Sequence, residues 1–349
     1  MKRIPVSDPP GAATDPAMPW LRVALDPVEA MMRFQSACPR FVDTDVELCA
    51  IRVTRHKPGR RCVVEYDLQS KRALPSHAPG QGQPKFTLLG KIRAKGLDKR
   101  TPQLLEALFR GGFDAGSADE ISVPEVAGVI AEFRMWLQVK VPGALATDLL
   151  AQPNGAELAR RIADAAHKLH ATKIEDQACF AGRVHTMEAE LAILQERLLL
   201  LARARPELAA RLERLLEACI RLGATVPAPQ LCGIHRDFYP AQVLVAGRRL
   251  WLLDFDLFCK GDPALDIGNF IGHVTEQSLR AFGDATALAE RERAIEDRFV
   301  ELSDEVARVR VRAYQTLTLV RHIQLSTEFA ERRPFAERLL QLCERRLGL

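Results

Sequence analysis

The first part of the chain alternates between apolar and polar residues in a way that predicts β-strands. Cys, Ile, Val and Tyr take alternate positions over residues 47–56 and 61–69, and the turn-forming sequence Lys57-Pro58-Gly59-Arg60 separates the two runs. Similar runs predict strands over 86–94, 125–133 and 134–141. Apolar spacing of three and four residues predicts one helix over 98–110, ending at Gly111-Gly112. We therefore expect a small β-rich unit with five strands and one helix.

After Pro142-Gly143 the apolar spacing becomes helical. Helices are predicted over seven segments: 155–171, 186–204, 206–222, 265–280, 288–300, 304–329 and 334–347. Residues 231–256 interrupt this pattern with two short apolar runs on either side of the turn Ala246-Gly247-Arg248-Arg249, which is typical of a β-hairpin. The pattern predicts an α+β fold with a β-rich part and a larger, mostly helical part.

We place the β-rich part at residues 21–140 and the helical part at residues 141–349. Residues 1–20 are rich in proline and alanine, and we expect them to be disordered. Residues 71–85 contain several prolines and glycines, and we expect a flexible connection there.

Composition argues against several classes of protein but does not identify a function. The 349 residues are 47% hydrophobic, which is enough for a large core. A net charge of +4 among 27% charged residues does not indicate a nucleic-acid partner. No apolar run approaches the ~20 residues of a membrane span, and the first residues lack the apolar stretch of a signal peptide. The eight cysteines are scattered, so we expect reduced thiols in a cytoplasmic protein that has no membrane partner.

The hairpin segment gathers oxygen-bearing side chains. A hairpin returns the chain to its starting point, so Gln242 and Asp254 should meet at its open end, with Asp237 only five residues before Gln242. Carboxylate and amide oxygens suit a hard cation such as Mg²⁺. A further carboxylate beside such an ion could accept a proton from a hydroxyl group.

Three linked motifs carry a family resemblance: HRDFYPAQ at 235–242, LLDFD at 252–256 and GDPALD at 261–266. Their types and order resemble the aminoglycoside/choline phosphotransferase family, over roughly residues 40–330 of this chain. That resemblance implies a bilobal protein-kinase-like fold, ATP and Mg²⁺ as cofactors, and a small-molecule hydroxyl acceptor.

The resemblance implies a role for each residue of these motifs. Asp237 is expected to be the catalytic base, and Arg236 either contacts the acceptor or a phosphate or braces the loop. Asp254 and Gln242 are expected to bind the metal. Gln242 stands where the family usually has Asn, as in its maltokinase branch; the alternative is that it only bonds backbone in the loop. His235 and Asp266 are expected to support the loop.

The resemblance also assigns nucleotide-binding residues in the β-rich part. Lys91 is similar to the family's phosphate-binding lysine, with Glu106 as its ion-pair partner; the alternative for Glu106 is that it is simply exposed on its apolar-faced helix. The alternative is that Lys91 faces solvent and that Arg93 or Lys95 lies nearer the nucleotide. Arg60 and Arg61, in a turn that takes the place of a glycine-rich loop, either approach phosphate oxygens or are simply solvated. Backbone groups of Gln138, Val139 and Lys140 are expected to bond adenine.

The leading hypothesis is an ATP- and Mg²⁺-dependent phosphotransferase that acts on a sugar, amino sugar or amino alcohol. An aminoglycoside-modifying resistance kinase and a nucleotide-binding pseudokinase regulator are the alternatives. A two-metal phosphohydrolase is disfavoured because only His235 lies in the motif segment, and the helix histidines His167 and His170 are interpreted as structural. We expect a monomer or homodimer with no nucleic-acid partner.

Overall fold

The computed structural model describes residues 4–38, 41, 46–70, 85–180, 182 and 184–349. The connection predicted over residues 71–85 lies outside these ranges except for Lys85. The chain divides into two compact units, Met1–Pro142 and Gly143–Leu349, two residues beyond the predicted boundary.

The first unit contains a sheet and short helices. Its elements in chain order are β1 (Val6–Ser7), α1 (Leu21–Ala24), α2 (Pro27–Ala37), β2 (Val46–Lys57), β3 (Arg61–Ser70), β4 (Lys85–Arg93), α3 (Arg100–Leu108), β5 (Ile121–Ser122), β6 (Val126–Ile130) and β7 (Met135–Val139). The main sheet has the order β1-β2-β3-β4-β7-β6. Strand β1 is parallel to β2, and the other neighbouring pairs are antiparallel. The five predicted strands and the predicted helix correspond to β2, β3, β4, β6, β7 and α3.

Residues 4–20 differ from the disordered segment that composition predicted. Strand β1 extends the sheet edge, and Ala12 and Met18 are completely buried in the hydrophobic core of this unit. Burial of these apolar side chains offsets the entropy of ordering the segment, which composition alone does not reveal.

The two faces of the sheet differ in chemistry. One face packs on the N-terminal helices: the Tyr66 ring meets Phe34 edge-on at 4.8 Å, and the Tyr66 hydroxyl donates to the Ala24 carbonyl at 2.9 Å. The opposite face carries polar residues because side chains alternate along each strand. There the Lys140 ammonium lies 2.6 Å from the Glu65 carboxylate. Lys91 belongs to this second, polar face.

The second unit is mostly helical. Its elements are β8 (Ala144–Leu145), α4 (Ala146–Leu149), α5 (Gly155–Ala171), β9 (Val184–His185), α6 (Met187–Ala204), α7 (Ala209–Ala224), β10 (Cys232–Ile234), β11 (Val243–Ala246), β12 (Arg249–Leu252), β13 (Cys259–Gly261), α8 (Pro263–Phe282), α9 (Ala289–Leu302), α10 (Val306–Glu328) and α11 (Ala336–Leu347). The predicted hairpin is formed by β11 and β12, with Val243 opposite Leu252, and β8 pairs with β11.

Helices α8 and α10 pack closely because glycines line their contact. A Cβ atom on Gly268 would lie 2.6 Å from the Val311 carbonyl oxygen, and one on Gly272 would lie 2.7 Å from the Thr318 methyl group. This close approach sets polar residues of both helices beside the loop that follows β10. In the described ranges, no helix is long and apolar enough to cross a bilayer.

Candidate active site

A buried carboxylate holds the loop that follows β10. Asp262 caps α8 by accepting from the Ala264 N–H at 2.9 Å, which places Asp266 in the first helical turn. The Asp266 carboxylate accepts from the backbone N–H groups of His235 (2.8 Å) and Arg236 (2.7 Å). It also bonds His170 Nε2 at 2.8 Å and has no solvent exposure. This geometry suits the expected supporting role of Asp266, and it gives His170 a structural partner that the sequence did not reveal.

The backbone of Leu253 ties the loop to the end of the hairpin. His235 Nε2 donates to the Leu253 carbonyl at 2.7 Å, and the Leu253 N–H donates to the Gln242 carbonyl at 2.9 Å. Both ends of the loop therefore bond the residue that immediately precedes Asp254. The His235 ring is fully buried, with its centroid 4.7 Å from that of Phe255. His235 thus orients the loop and has no exposure to a substrate.

Two residues of the site have left-handed backbone conformations. Arg236 has φ +68° and Asp254 has φ +59°, values that cost a non-glycine residue about 1 kcal/mol or more. The bond from the Arg236 N–H to Asp266 helps hold the first of these conformations. The Arg236 guanidinium makes no hydrogen bond to any residue that the structure describes, so it is free to contact a ligand.

Asp237 has the electrostatics of a proton acceptor. Burial raises the pKa of its carboxyl above the ordinary value, and the nearby negative charge of Asp254 raises it further. Nearby basic groups, first His235 and then Arg321 and Arg236, oppose this rise. The side chain is half-buried and makes no hydrogen bond within the described ranges. Its oxygens are open to an incoming hydroxyl group.

Gln242 and Asp254 supply unbonded oxygens beside Asp237. The Gln242 amide nitrogen donates to the Tyr239 hydroxyl at 3.3 Å, which leaves Oε1 without a hydrogen bond in the described part of the chain. The Asp254 carboxylate likewise has none there. One carboxylate and one amide oxygen match the donor set that Mg²⁺ takes when substrate phosphates and water complete its shell. Among the described residues, no group of three or more His, Cys, Asp and Glu could hold a metal ion.

Sequence reasoning missed a polar network from α6, α8 and α10 beside Asp237. Asn269 donates to the Phe238 carbonyl at 2.8 Å, and Arg321 bonds both the Asn269 side-chain oxygen and Glu190, the latter at 2.7 Å. Glu190 also bonds His185 at 2.8 Å. The signal in the sequence is an arginine within the apolar run of α10, because such a residue needs a partner when it packs inward.

A pair of neutral histidines extends this network. The two Nε2 atoms of His273 and His322 lie 3.3 Å apart, and the His273 ring stacks on Tyr239 with centroids 4.5 Å apart. Burial lowers the pKa of His322 to about 3, so this imidazole is uncharged at neutral pH. His273 packs between Tyr239 and His322.

In the first unit, the expected ion pair between Lys91 and Glu106 is not formed. The Lys91 ammonium lies 4.9 Å from the centroid of the Trp136 ring, on the polar face of the sheet. Glu106 is exposed, because the apolar face of α3 is the one that packs inward, and it lines a hollow with Phe109 and Arg110. The Lys91 ammonium therefore has no carboxylate partner in the described ranges. The ion pair predicted between Lys91 and Glu106 was wrong.

The turn between β2 and β3 presents a cluster of positive charge. The Arg60 N–H closes the turn on the Lys57 carbonyl at 3.0 Å, and Gly59 has φ +63°. Repulsion from Arg61, Arg55 and Arg60 lowers the pKa of Lys57. None of these four basic side chains has an acidic partner in the described ranges, so an anion bound at the turn would relieve the repulsion.

The segment predicted to bond adenine has fewer open donors than expected. The Val139 N–H donates to the Glu125 carbonyl at 2.9 Å, and the Lys140 N–H donates to the Thr87 carbonyl at 2.8 Å. Gln138 is paired within the sheet on both sides. Of the backbone groups predicted to bond adenine, these two N–H donors are therefore occupied. The next N–H along the chain, that of Val141, has no partner in the described ranges.

Comparisons with known proteins find solved structures of similar fold. Choline kinase from Cryptosporidium parvum matches with a TM-score of 0.55 and 12% identity, over 90% of this chain and 93% of that one. Plasmodium vivax ethanolamine kinase matches with a TM-score of 0.53 and 12% identity, over 85% of this chain and 82% of that one. Aminoglycoside phosphotransferase APH(4)-Ia, solved with AMP-PNP and hygromycin B, matches with a TM-score of 0.54 and 14% identity, over 90% and 98% of the two chains.

These likenesses confirm the predicted protein-kinase-like fold. No curated protein matches the sequence. The family model described as "Phosphotransferase enzyme family" matches residues 113–310, more than half of the chain. The protein therefore belongs to the phosphotransferase enzyme family.

Proposed function

We propose that this enzyme transfers the γ-phosphate of ATP to a hydroxyl group of a small molecule, with Asp237 as catalytic base and Mg²⁺ held by Gln242 and Asp254. One observation carries the proposal. The open carboxylates of Asp237 and Asp254 and the open amide oxygen of Gln242 belong to one loop-and-hairpin unit, which Leu253 and Asp266 tie together.

In the proposed reaction, Asp237 orients the acceptor hydroxyl and accepts its proton. The hydroxyl oxygen forms a bond to the γ-phosphorus, and the bond from that phosphorus to the β–γ bridging oxygen breaks, which releases ADP. Bound Mg²⁺ would neutralise charge on the phosphates. Lys91 and the Arg60–Arg61 turn serve to bind nucleotide phosphates. The backbone groups of 138–140 that the sheet leaves open, together with the Val141 N–H, serve to bond adenine.

The charges around Asp237 favour a neutral acceptor such as a sugar over a polycation. The guanidinium groups of Arg236 and Arg321 are both close enough to influence the pKa of Asp237. Glu190, the nearby acidic group, is already paired with Arg321 and His185. An acceptor ammonium would therefore meet two guanidinium groups, and the open carboxylates nearby are those assigned to the base and to the metal. This disfavours the aminoglycoside alternative, and the Gln242 variant, similar to the maltokinase branch, points in the same direction.

A pseudokinase regulator is the second candidate, and the open oxygens of Asp237 and Asp254 argue against it.

We further propose that the enzyme is cytoplasmic, in line with its thiols: all eight cysteines lie in the described ranges and none forms a disulfide. A monomer or homodimer with no nucleic-acid partner fits the balanced charge.

The test is an acceptor screen that follows ADP release with ATP and Mg²⁺. It would compare neutral sugars and polyols, amino alcohols, and aminoglycosides at equal concentration. We expect a neutral sugar or polyol to raise turnover above the acceptor-free rate, and EDTA to abolish it. If ATP binds but no hydroxyl compound raises turnover, the kinase proposal fails and the regulator remains. If only aminoglycosides do so, the proposed acceptor class is wrong.

A further inference from the structure

We propose that Asp15, in the N-terminal segment, is a positioning residue that fixes the Lys57–Arg61 turn in the shape needed to bind nucleotide phosphates. This inference rests on the proposed function of that turn. It assigns a role to a segment that lies outside the region matched by the family model, which begins at residue 113.

The contacts of Asp15 are directed at the turn. Its Oδ2 atom accepts from the Gly59 N–H at 2.8 Å and from His56 Nε2 at 2.9 Å. Its Oδ1 atom accepts from the Ala17 N–H at 2.9 Å. The side chain is buried, and the Gly59 bond is the largest influence that holds the pKa of Asp15 below its ordinary value. Asp15 is therefore an ionised group that bonds His56, immediately before the turn, and Gly59, in the middle of the turn.

The segment that carries Asp15 is itself firmly attached. Asp8 accepts from the backbone N–H groups of Ala12 and Ala13, both at 2.8 Å. Met18 is fully buried, and the Trp20 ring lies under the Arg134 guanidinium at 3.9 Å. Because its neighbours on both sides are anchored, Asp15 presents a fixed acceptor to the turn. A flexible tail could not restrict the turn in this way.

The charge of the turn explains why such an attachment is needed. The basic side chains of Arg55, Lys57, Arg60 and Arg61 repel one another, as the lowered pKa of Lys57 shows. Without a constraint, the short turn would relax to separate these charges. A carboxylate beneath the backbone stabilises the crowded arrangement and leaves the outward guanidinium groups free for phosphate oxygens.

The experiment measures nucleotide affinity by isothermal titration calorimetry of the full chain with Mg²⁺. The ligands are ATP and adenosine, since only ATP has phosphates to bind the turn. For Asp15→Ala we expect the Kd for ATP to rise about tenfold, in line with the loss of hydrogen bonds to a charged group. The Kd for adenosine should stay within about twofold of wild type, because adenosine lacks the groups that the turn binds. Asp15→Asn, which keeps the size and one acceptor oxygen, should give a smaller change in the same direction.

Asp26→Ala is the matched control. Asp26 caps the nearby helix α2, and its carboxylate also accepts from two backbone N–H groups, those of Val28 and Glu29, but it has no contact with the turn in the described ranges. We expect Asp26→Ala to lower the melting temperature without changing the Kd for ATP. If Asp15→Ala weakens ATP and adenosine binding equally, or if Asp26→Ala matches its effect on ATP, Asp15 is only structural and the inference is wrong.

A further variant separates failure of this inference from failure of the proposed function. Arg60→Ala/Arg61→Ala should weaken ATP binding if the turn binds phosphates. If this double variant weakens binding but Asp15→Ala does not, the positioning role fails while the proposed function stands. If the wild-type protein does not bind ATP, both fail.

Discussion

Replacement of Asp266 by Asn would test how strongly the catalytic loop depends on one buried carboxylate. The carboxylate accepts three hydrogen bonds, from His235 N, Arg236 N and His170 Nε2. Asparagine offers one oxygen, so at least one buried N–H would face an amide nitrogen and lose its acceptor. The unsatisfied donor and the lost charge together should cost about 3 kcal/mol. For a unit of this size, that corresponds to a melting temperature about 10 °C lower.

Activity should fall as well, because the same bonds set the backbone of Arg236 and hence the position of Asp237. A misplacement of about 1 Å can reduce turnover on the order of 10²-fold. The assays are thermal unfolding and ADP release with an acceptor found by the screen. Asp284→Asn is the control: it removes an exposed carboxylate of the same unit but keeps an oxygen to accept from the Thr286 N–H, and it should cost less than about 1 kcal/mol. If Asp266→Asn has the melting temperature and the rate of ADP release of the wild type, the Asp266 carboxylate does not hold the loop.

Three further predictions concern the metal site, an ion-pair cluster and helix packing. Gln242→Met should raise the Mg²⁺ concentration for half-maximal ADP release by about tenfold or more, because sulfur does not replace a hard oxygen ligand; an unchanged Mg²⁺ requirement would remove Gln242 from the metal site. The Arg52 hydrogen bond holds the pKa of Asp67 below its ordinary value, so this pair contributes stability above pH ~4 that is lost as the pH falls through the lowered pKa. The difference in melting temperature between wild type and Arg52→Gln should therefore shrink on going from pH 6 to pH 3, and a constant difference would contradict the pairing. Gly272→Ala should cost about 1–3 kcal/mol in urea unfolding, because its Cβ would press on the Thr318 methyl group at 2.7 Å; unchanged stability would show that α8 and α10 can separate freely.

The sequence predicted most regular elements because their hydrophobic periods are strong and local. The β11–β12 hairpin, which places Gln242 beside Leu253, followed from two apolar runs around a glycine turn. The support of the loop by Asp266 followed from the family motif. Both depend on residues that are close in sequence or joined by a recognised pattern.

The residues that sequence reasoning missed depend on contacts between distant parts of the chain. Asp15 reaches Gly59 across 44 positions, and Arg321 reaches Glu190 across 131. No local period marks such contacts, and the proline-rich composition around Asp15 favoured disorder instead. The Lys91–Glu106 ion pair was implied by the family resemblance and is not formed, because Glu106 lies on the exposed face of α3 while the apolar face packs inward.

The central claim is that Asp237 is the base that activates the acceptor hydroxyl, and one measurement tests it most directly. Phosphorylated product and ADP would be quantified for wild type and Asp237→Ala. Asp164→Ala serves as a control, because Asp164 belongs to the same unit and its carboxylate pairs with Arg298. We predict that turnover falls by about 10²–10⁴-fold in Asp237→Ala while ATP binding persists, and that Asp164→Ala behaves like wild type. Turnover by Asp237→Ala within about threefold of wild type would contradict the claim.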